Sequence, residues 1–212
     1  MTAAHVTPLT DLERDALGEL SNIAMARAAN SLRQMVEYQV VLSVPSVDIV
    51  SKETATQLIG KSNNPTLVAI RQDFTGAFSG RALLIFPEAS SLELVRIVVG
   101  QQLSLDDIGN LEDEALAETG NIILNSWIAT IANLLKSGLK MSLPTVVRGD
   151  SRQMFKSDES QSLVLFLHIN FEISMKEIRG FVALLMDIPS VDELRSLISD
   201  FIANATKTNR SE

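Results

Sequence analysis

The sequence predicts an α+β fold in which two helix–strand–strand–strand–helix units, related by a pseudo-twofold axis, share one mainly antiparallel sheet. Each unit contributes one long helix that bears a polar motif. Three observations lead there. A pattern occurs twice, 99 residues apart: Asp15, Glu19 and Asn22 precede Pro45, and Glu114, Glu118 and Asn121 precede Pro144, with 22 residues between Asn and Pro each time. Hydrophobic periodicity runs helix, strands, helix in each half. The halves also match outside the motif, where Gly80-Arg-Ala-Leu-Leu-Ile-Phe-Pro corresponds to Gly180-Phe-Val-Ala-Leu-Leu-Met-Asp-Ile-Pro and Glu93-Leu94 to Glu193-Leu194. The offset drifts from 99 to about 100, as one loop insertion would produce, so a tandem duplication is the economical account.

Each half alone would have few strands and exposed edges, a liability that pairing the halves in one sheet removes. The expectation is therefore a single pseudosymmetric domain over residues 1–212, with repeat halves at about 10–100 and 110–206.

The elements follow in order. Thr10 with Glu13 three residues on is a capping-box signature, and Leu12, Ala16, Leu20, Ile23, Ala24 and Ala28 recur at helical spacing to about Met35. Tyr38–Val44 reads as a strand ended by Pro45, and Leu67–Arg71 and Ser79–Phe86 read as further strands. A short helix begins at Pro87 and is closed by Gly100. In the second half a helix is expected over Leu111–Ser137, with Asn110 as N-cap and Gly138 as C-cap. Strands are expected at Lys140–Leu143, Leu163–Phe171 and Ile178–Met186, then a helix from Pro189 and a frayed tail from about Lys207.

Composition narrows the function classes. The chain of 212 residues is 46% apolar and can bury a sizeable core. Cysteine is absent, which rules out a disulfide framework and suits a reducing cytoplasm. The N-terminus lacks a basic, then apolar, secretory signal, and no apolar run reaches membrane-spanning length. A net charge of −8 argues against nucleic-acid binding. Six acids, Asp106, Asp107, Glu112, Asp113, Glu114 and Glu118, cluster without an intervening base. They either complement the positive end of the following helix or form a docking face for a basic partner.

Residues 15, 19 and 22 are spaced i, i+4, i+7 and share one helical stripe, as do 114, 118 and 121. Gly18, Ala26, Gly120 and Ile122 flank the stripes, so the Glu and Asn tips are expected to be exposed. A carboxamide offers one acceptor and two donors, and can hold a water while anchoring a phosphoryl oxygen. A neighbouring carboxylate can pair with a lysine or a hydrated metal on a partner. Phosphoryl transfer profits from such positioning because its transition state is loose. Neither helix supplies a nucleophile, a phosphate loop or a metal shell, so those parts would have to come from the substrate protein.

These residues resemble the CheC/CheX/FliY phosphatases of bacterial and archaeal chemotaxis, whose motif is Asp or Ser, three residues, Glu, two residues, Asn, then 22 residues to Pro. Asp15, Glu19, Asn22 and Pro45 match in full; Glu118, Asn121 and Pro144 match the second copy, where Glu114 replaces the Asp or Ser. Two copies in this length resemble the CheC-like branch. CheX carries one site, and FliY adds a C-terminal flagellar-switch domain for which this chain has no room. The resemblance implies hydrolysis of the aspartyl phosphate of a CheY-like response regulator. It gives Asn22 and Asn121 the orienting of water, and Glu19 and Glu118 a salt bridge to the regulator's active-site lysine. Asp15, Glu114, Pro45 and Pro144 support the sites. No intrinsic cofactor is implied, because the regulator brings Mg²⁺ and the phosphoaspartate. CheC-like proteins can also bind CheD, a receptor deamidase, and no residue here decides that. The competing class is a non-catalytic interaction protein that binds CheD, a receiver domain or a flagellar component.

Among the remaining polar and aromatic groups, His5 and His168 are too far apart in sequence for a metal motif, and His168 reads as a structural histidine in a strand. Trp127 reads as a core or interface anchor. Asn125, one turn after Asn121, is a candidate extension of the second stripe. Asp15 either orients its site or only meets solvent.

Overall fold

A computed structural model describes residues 8–36, 38–60, 66–99, 105–156, 163–173 and 176–208, apart from the side chains of 99, 105–110, 176–177 and 207–208. The first half runs α1 (Asp11–Val36), β1 (Val40–Ser51), α2 (Lys52–Gly60), β2 (Leu67–Gly76), β3 (Gly80–Pro87) and α3 (Glu88–Val99). The second runs α4 (Leu105–Leu134), β4 (Leu139–Met141), β5 (Thr145–Gly149), α5 (Ser151–Met154), β6 (Leu163–Ile173), β7 (Lys176–Met186) and α6 (Ile188–Thr208). The strands form one sheet in the order β1-β6-β7-β3-β2, with β4 and β5 both beside β2 at the far edge. Every pairing is antiparallel.

The halves meet where β3 pairs β7. Leu83 faces Ala183, and the pairs Arg81–Leu185 and Ile85–Phe181 lie symmetrically about that point. The offset of 100 between these matched segments thus becomes a local twofold axis through the sheet centre, and the α+β pseudo-twofold fold is the one expected. Its units are richer than expected, because each holds one more short helix, α2 or α5.

Both faces of the sheet are covered. On one, Leu17 and Leu20 of α1, Leu94 of α3, Ile123 of α4 and Leu194 of α6 pack on Val68, Ile70, Leu84 and Leu165. On the other, Ala55 and Ile59 of α2, Met154 of α5 and Phe155 just after it cover Leu67, Ala69, Leu83 and Ile85. Burial on both sides is why β3 reads as an unbroken apolar run rather than an alternating one.

The boundary differences have local causes. Pro45 does not end a strand; β1 continues to Ser51, and a register shift between Ser43 and Ser46 absorbs the residue that cannot donate to the ladder. In the second half the same place is a true break, separating β4 from β5. Helix α4 starts at Leu105, six residues before the expected start, so Asn110 lies inside the helix rather than capping it. Gly138 is not the helix cap either. Lys136 takes the left-handed position with φ 54, Ser137 N–H donates to Ala132 C=O (2.8 Å) and Lys136 N–H to Asn133 C=O (3.1 Å), the bond pair of a Schellman ending. Gly100 lies outside the described residues. Both short helices carried start signals: the Thr54 N–H donates to Ser51 Oγ, and Asp150 with Gln153 forms a capping box.

The Thr10 capping box is present: Thr10 N–H donates to Glu13 Oε2 (2.8 Å) and Glu13 N–H to Thr10 Oγ1 (3.2 Å). The buried Glu13 also receives a two-pronged bond from Arg195 of α6, Nε to Oε1 at 3.1 Å and Nη2 to Oε2 at 3.0 Å, which ties the first helix to the last. Burial alone would raise the Glu13 pKa, but the Thr10 N–H and the Arg195 guanidinium outweigh it and hold the carboxyl below its ordinary value of 4.5. A depressed folded pKa stabilises the protein above the unfolded value and ceases to do so as pH falls through the folded one. Glu13→Ala is therefore expected to cost about 1–2 kcal/mol in denaturant titrations at neutral pH. The gap to wild type should narrow below pH 4.5.

Candidate functional site

Helices α1 and α4 pack against each other on one face of the sheet. Each turns its polar stripe away from the core, because Leu17, Leu20 and Ala24, and Leu116, Ile123 and Leu124, occupy the inward positions. Asp15, Glu19, Glu114 and Glu118 are exposed, while Asn22 and Asn121 are half-buried. None of the four carboxylates makes a salt bridge among the described residues.

At the first site Asn22 is bound to main chain at both ends. Its Nδ2 donates to Gly18 C=O at 3.0 Å, and its Oδ1 accepts the Val44 N–H at 2.9 Å. Val44 and Pro45 lie in the β1 bulge, outside the β1–β6 register, so the Val44 N–H is available to the helix. The 22-residue spacing thus has a structural meaning: it brings the bulge alongside Asn22. Pro45 is exposed beside this contact rather than at a strand end.

The second site is built differently. Asn121 Oδ1 accepts from Asn125 Nδ2 at 2.7 Å and from Gln72 Nε2 at 3.2 Å. Gln72, on β2, also donates to Ser142 C=O at 2.9 Å and more weakly to Asn125 Oδ1 at 3.4 Å. Asn125 therefore does extend the second stripe. Gln72 went unrecognised in the sequence; its only signal is a polar residue at an inward position of an apolar strand. Pro144, half-buried, lines a groove with Met35, Leu111, Ala115, Glu114 and Glu118. The two sites also use their glycines differently. A side chain at Gly18 would meet open space, whereas Gly120 sits against Ile70 of β2 and lets α4 approach the sheet.

The acidic cluster divides. Arg148 of β5 holds Glu112 at 2.9 Å and Asp113 at 2.6 Å. Burial lowers the Arg148 pKa, but the two carboxylates more than offset this and the net shift is upward. Glu114 and Glu118 stay open to solvent, and the side chains of Asp106 and Asp107 lie outside the described residues. Trp127 is buried in the core. His168 packs edge-on to Phe166 and Phe181 at 5.3 and 5.2 Å, and burial, partly countered by Asp48, lowers its pKa. His5 lies outside the described residues. Among the described residues no helix is long and apolar enough to cross a membrane.

Comparison with known proteins bears on this arrangement. A family model described as chemotaxis phosphatase CheX matches residues 68–168, a span that contains Gln72 and the second motif. The chain is 22% identical to the flagellar motor switch phosphatase FliY of Bacillus subtilis over 176 residues, 82% of this chain and 46% of that protein. It is 26% identical to the CheY-P phosphatase CheC of the same organism over 155 residues, 72% of each. The chain thus spans less than half the length of the FliY relative. Among solved structures, Thermotoga maritima FliY shares the fold with a TM-score of 0.72 at 17% identity, covering 91% of this chain and 98% of that one. The FliM middle domain from H. pylori shares it with a TM-score of 0.58 at 11% identity, covering 89% and 99%. By these matches the chain is similar to the CheC/CheX/FliY-like chemotaxis phosphatases.

Proposed function

We propose that the protein hydrolyses the aspartyl phosphate of a CheY-like response regulator, using Glu19 with Asn22 and Glu118 with Asn121 as two helix-borne half-sites on one pseudosymmetric domain. One observation carries the reading. Twice, an exposed carboxylate stands one turn from a carboxamide whose oxygen is anchored by an N–H donor outside its own helix. Anchoring removes rotational freedom before a partner arrives, the condition under which positioning accelerates a reaction. Asn22 keeps one oxygen lone pair and one N–H for a water or phosphoryl oxygen. Asn121 keeps its Nδ2 without a partner among the described residues. The carboxylates are free to meet the receiver's lysine, and Asp15 and Glu114 extend the same acidic stripes. Mg²⁺ and the phosphoaspartate belong to the receiver, so the half-sites need no resident metal, and the reaction takes place in the cytoplasm.

The test is to phosphorylate a CheY-like receiver with acetyl phosphate, remove the donor, and follow decay with and without this protein. Acceleration of about 10²-fold is expected, the scale of a well-placed polar group. Glu19→Lys with Glu118→Lys should raise KM more than about tenfold through like-charge contact with the receiver's lysine. Unaccelerated decay overturns the enzymatic reading. The FliM-like fold favours one alternative, a scaffold that binds a receiver or flagellar component without hydrolysis; tight receiver binding with unchanged decay would select it.

A further inference from the structure

The motif pairs are duplicated in sequence, but the parts that hold them are not. Sheet register identifies the counterparts. Leu42 pairs with Phe171 beside the first motif and Met141 with Phe74 beside the second. Two residues before each Phe on the same face stand Ile169 and Gln72, both buried, and the central β3–β7 twofold sets Leu167, opposite Val182, against Gln72, opposite Ala82; by either register the counterpart of Gln72 is a buried aliphatic residue. The strand beside the first half-site therefore carries an aliphatic side chain where the strand beside the second carries a carboxamide. The residues that precede the motif prolines differ as well. Val44 is 5% exposed within the continuous β1, whereas Leu143, in the break between β4 and β5, is 86% exposed.

Where the strand is continuous, its main-chain N–H holds the asparagine oxygen. Where the strand breaks, a side-chain N–H does so instead. We infer that Gln72 is the positioning residue of the second half-site, replacing through Nε2 the donor that Val44 N–H supplies to the first. The orientation of its amide follows from its partners: Ser142 C=O can only accept, so Nε2 faces it and the same group reaches Asn121 Oδ1. Gln72 Oε1 is then left buried without a partner. An aliphatic residue would avoid that unmatched oxygen, as Ile169 does, so stability alone does not account for a glutamine here. With Asn125 Nδ2 on the other lone pair, Asn121 Oδ1 is fully occupied and its NH₂ is directed away from the network.

The catalytic part of this inference rests on the phosphatase reading; the geometric part does not, and the experiment separates them. Gln72→Met keeps the side-chain length and removes the N–H. In the Asn22→Ala background, where only the second site acts, Gln72→Met should lower kcat about tenfold with KM unchanged. In the Asn121→Ala background it should change nothing. A second site that is silent with Gln72 present, or that loses no turnover on Gln72→Met, overturns the catalytic assignment. Independently of any activity, ¹⁵N-asparagine NMR of the whole chain should show the Asn121 side-chain NH₂ shifted and more mobile in Gln72→Met, with Asn22 unaltered. An unaltered Asn121 resonance overturns the positioning role itself. If no form of the protein accelerates decay, the phosphatase reading fails while the NMR result still decides Gln72.

Discussion

Replacing both Asn22 and Asn121 by alanine is expected to return the decay of a phosphorylated receiver to its unassisted rate, while each single variant retains the activity of the other site. Each asparagine is half-buried and its oxygen anchored, so truncation removes a preorganised group rather than a mobile one, a loss of about 10²–10³ per site. On the proposed roles the loss should fall on kcat, because Glu19 and Glu118 remain exposed and available for docking. Circular dichroism and thermal melting guard against the trivial explanation. A double variant that keeps accelerating decay would move the chemistry away from both helices. A single variant as inactive as the double would confine it to one.

Gly120→Ala is expected to destabilise the protein, whereas Gly18→Ala should not. A Cβ at Gly120 would lie 2.4 Å from Ile70 Cγ2 and 2.6 Å from its Cβ, in a strand flanked on both sides by others. A β-branched neighbour in such a strand has little room to yield, and overpacking of this kind costs about 1–3 kcal/mol. For a chain of this size that is a melting-temperature drop of roughly 2–4 °C per kcal/mol. Because Asn121 adjoins Gly120, the second site should lose turnover along with stability. Gly18 faces open space in mid-helix, so alanine there gains about 0.5–1 kcal/mol of helix propensity. Equal effects of the two substitutions, read by thermal unfolding, would contradict the packing described.

The contrast between these glycines shows how far sequence reading reaches. Both flank a motif residue on a helix, and both read as space left open beside the polar tips. Helical spacing gives the stripe to which a residue belongs but not what stands opposite it. The same limit explains Pro45. A proline in a strand signals a place without a donor, and the signal is identical whether the strand stops, as between β4 and β5, or bulges and continues, as in β1. Helix α2 was missed because only Ala55 and Ile59 of its nine residues are buried, too few to establish a period. Asn110 and Gly138 fit helix-capping preferences by residue type, yet α4 extends past the first and a left-handed Lys136 pre-empts the second.

Duplication, the two motif-bearing helices, six of the seven strands and the shared sheet were legible in the chain, because they rest on period, spacing and edge pairing, which are properties of residue order; β5 (Thr145–Gly149) was not, being short and without fully buried residues. How each asparagine is held was not legible. The donor to Asn22 comes from a main-chain N–H 22 residues away, and the donor to Asn121 from a glutamine 49 residues earlier. Hydrogen bonds of that kind exist only once a helix has been laid across a particular strand in a particular register. Two motifs nearly identical as letters thereby became sites with different supports, one from backbone and one from Gln72.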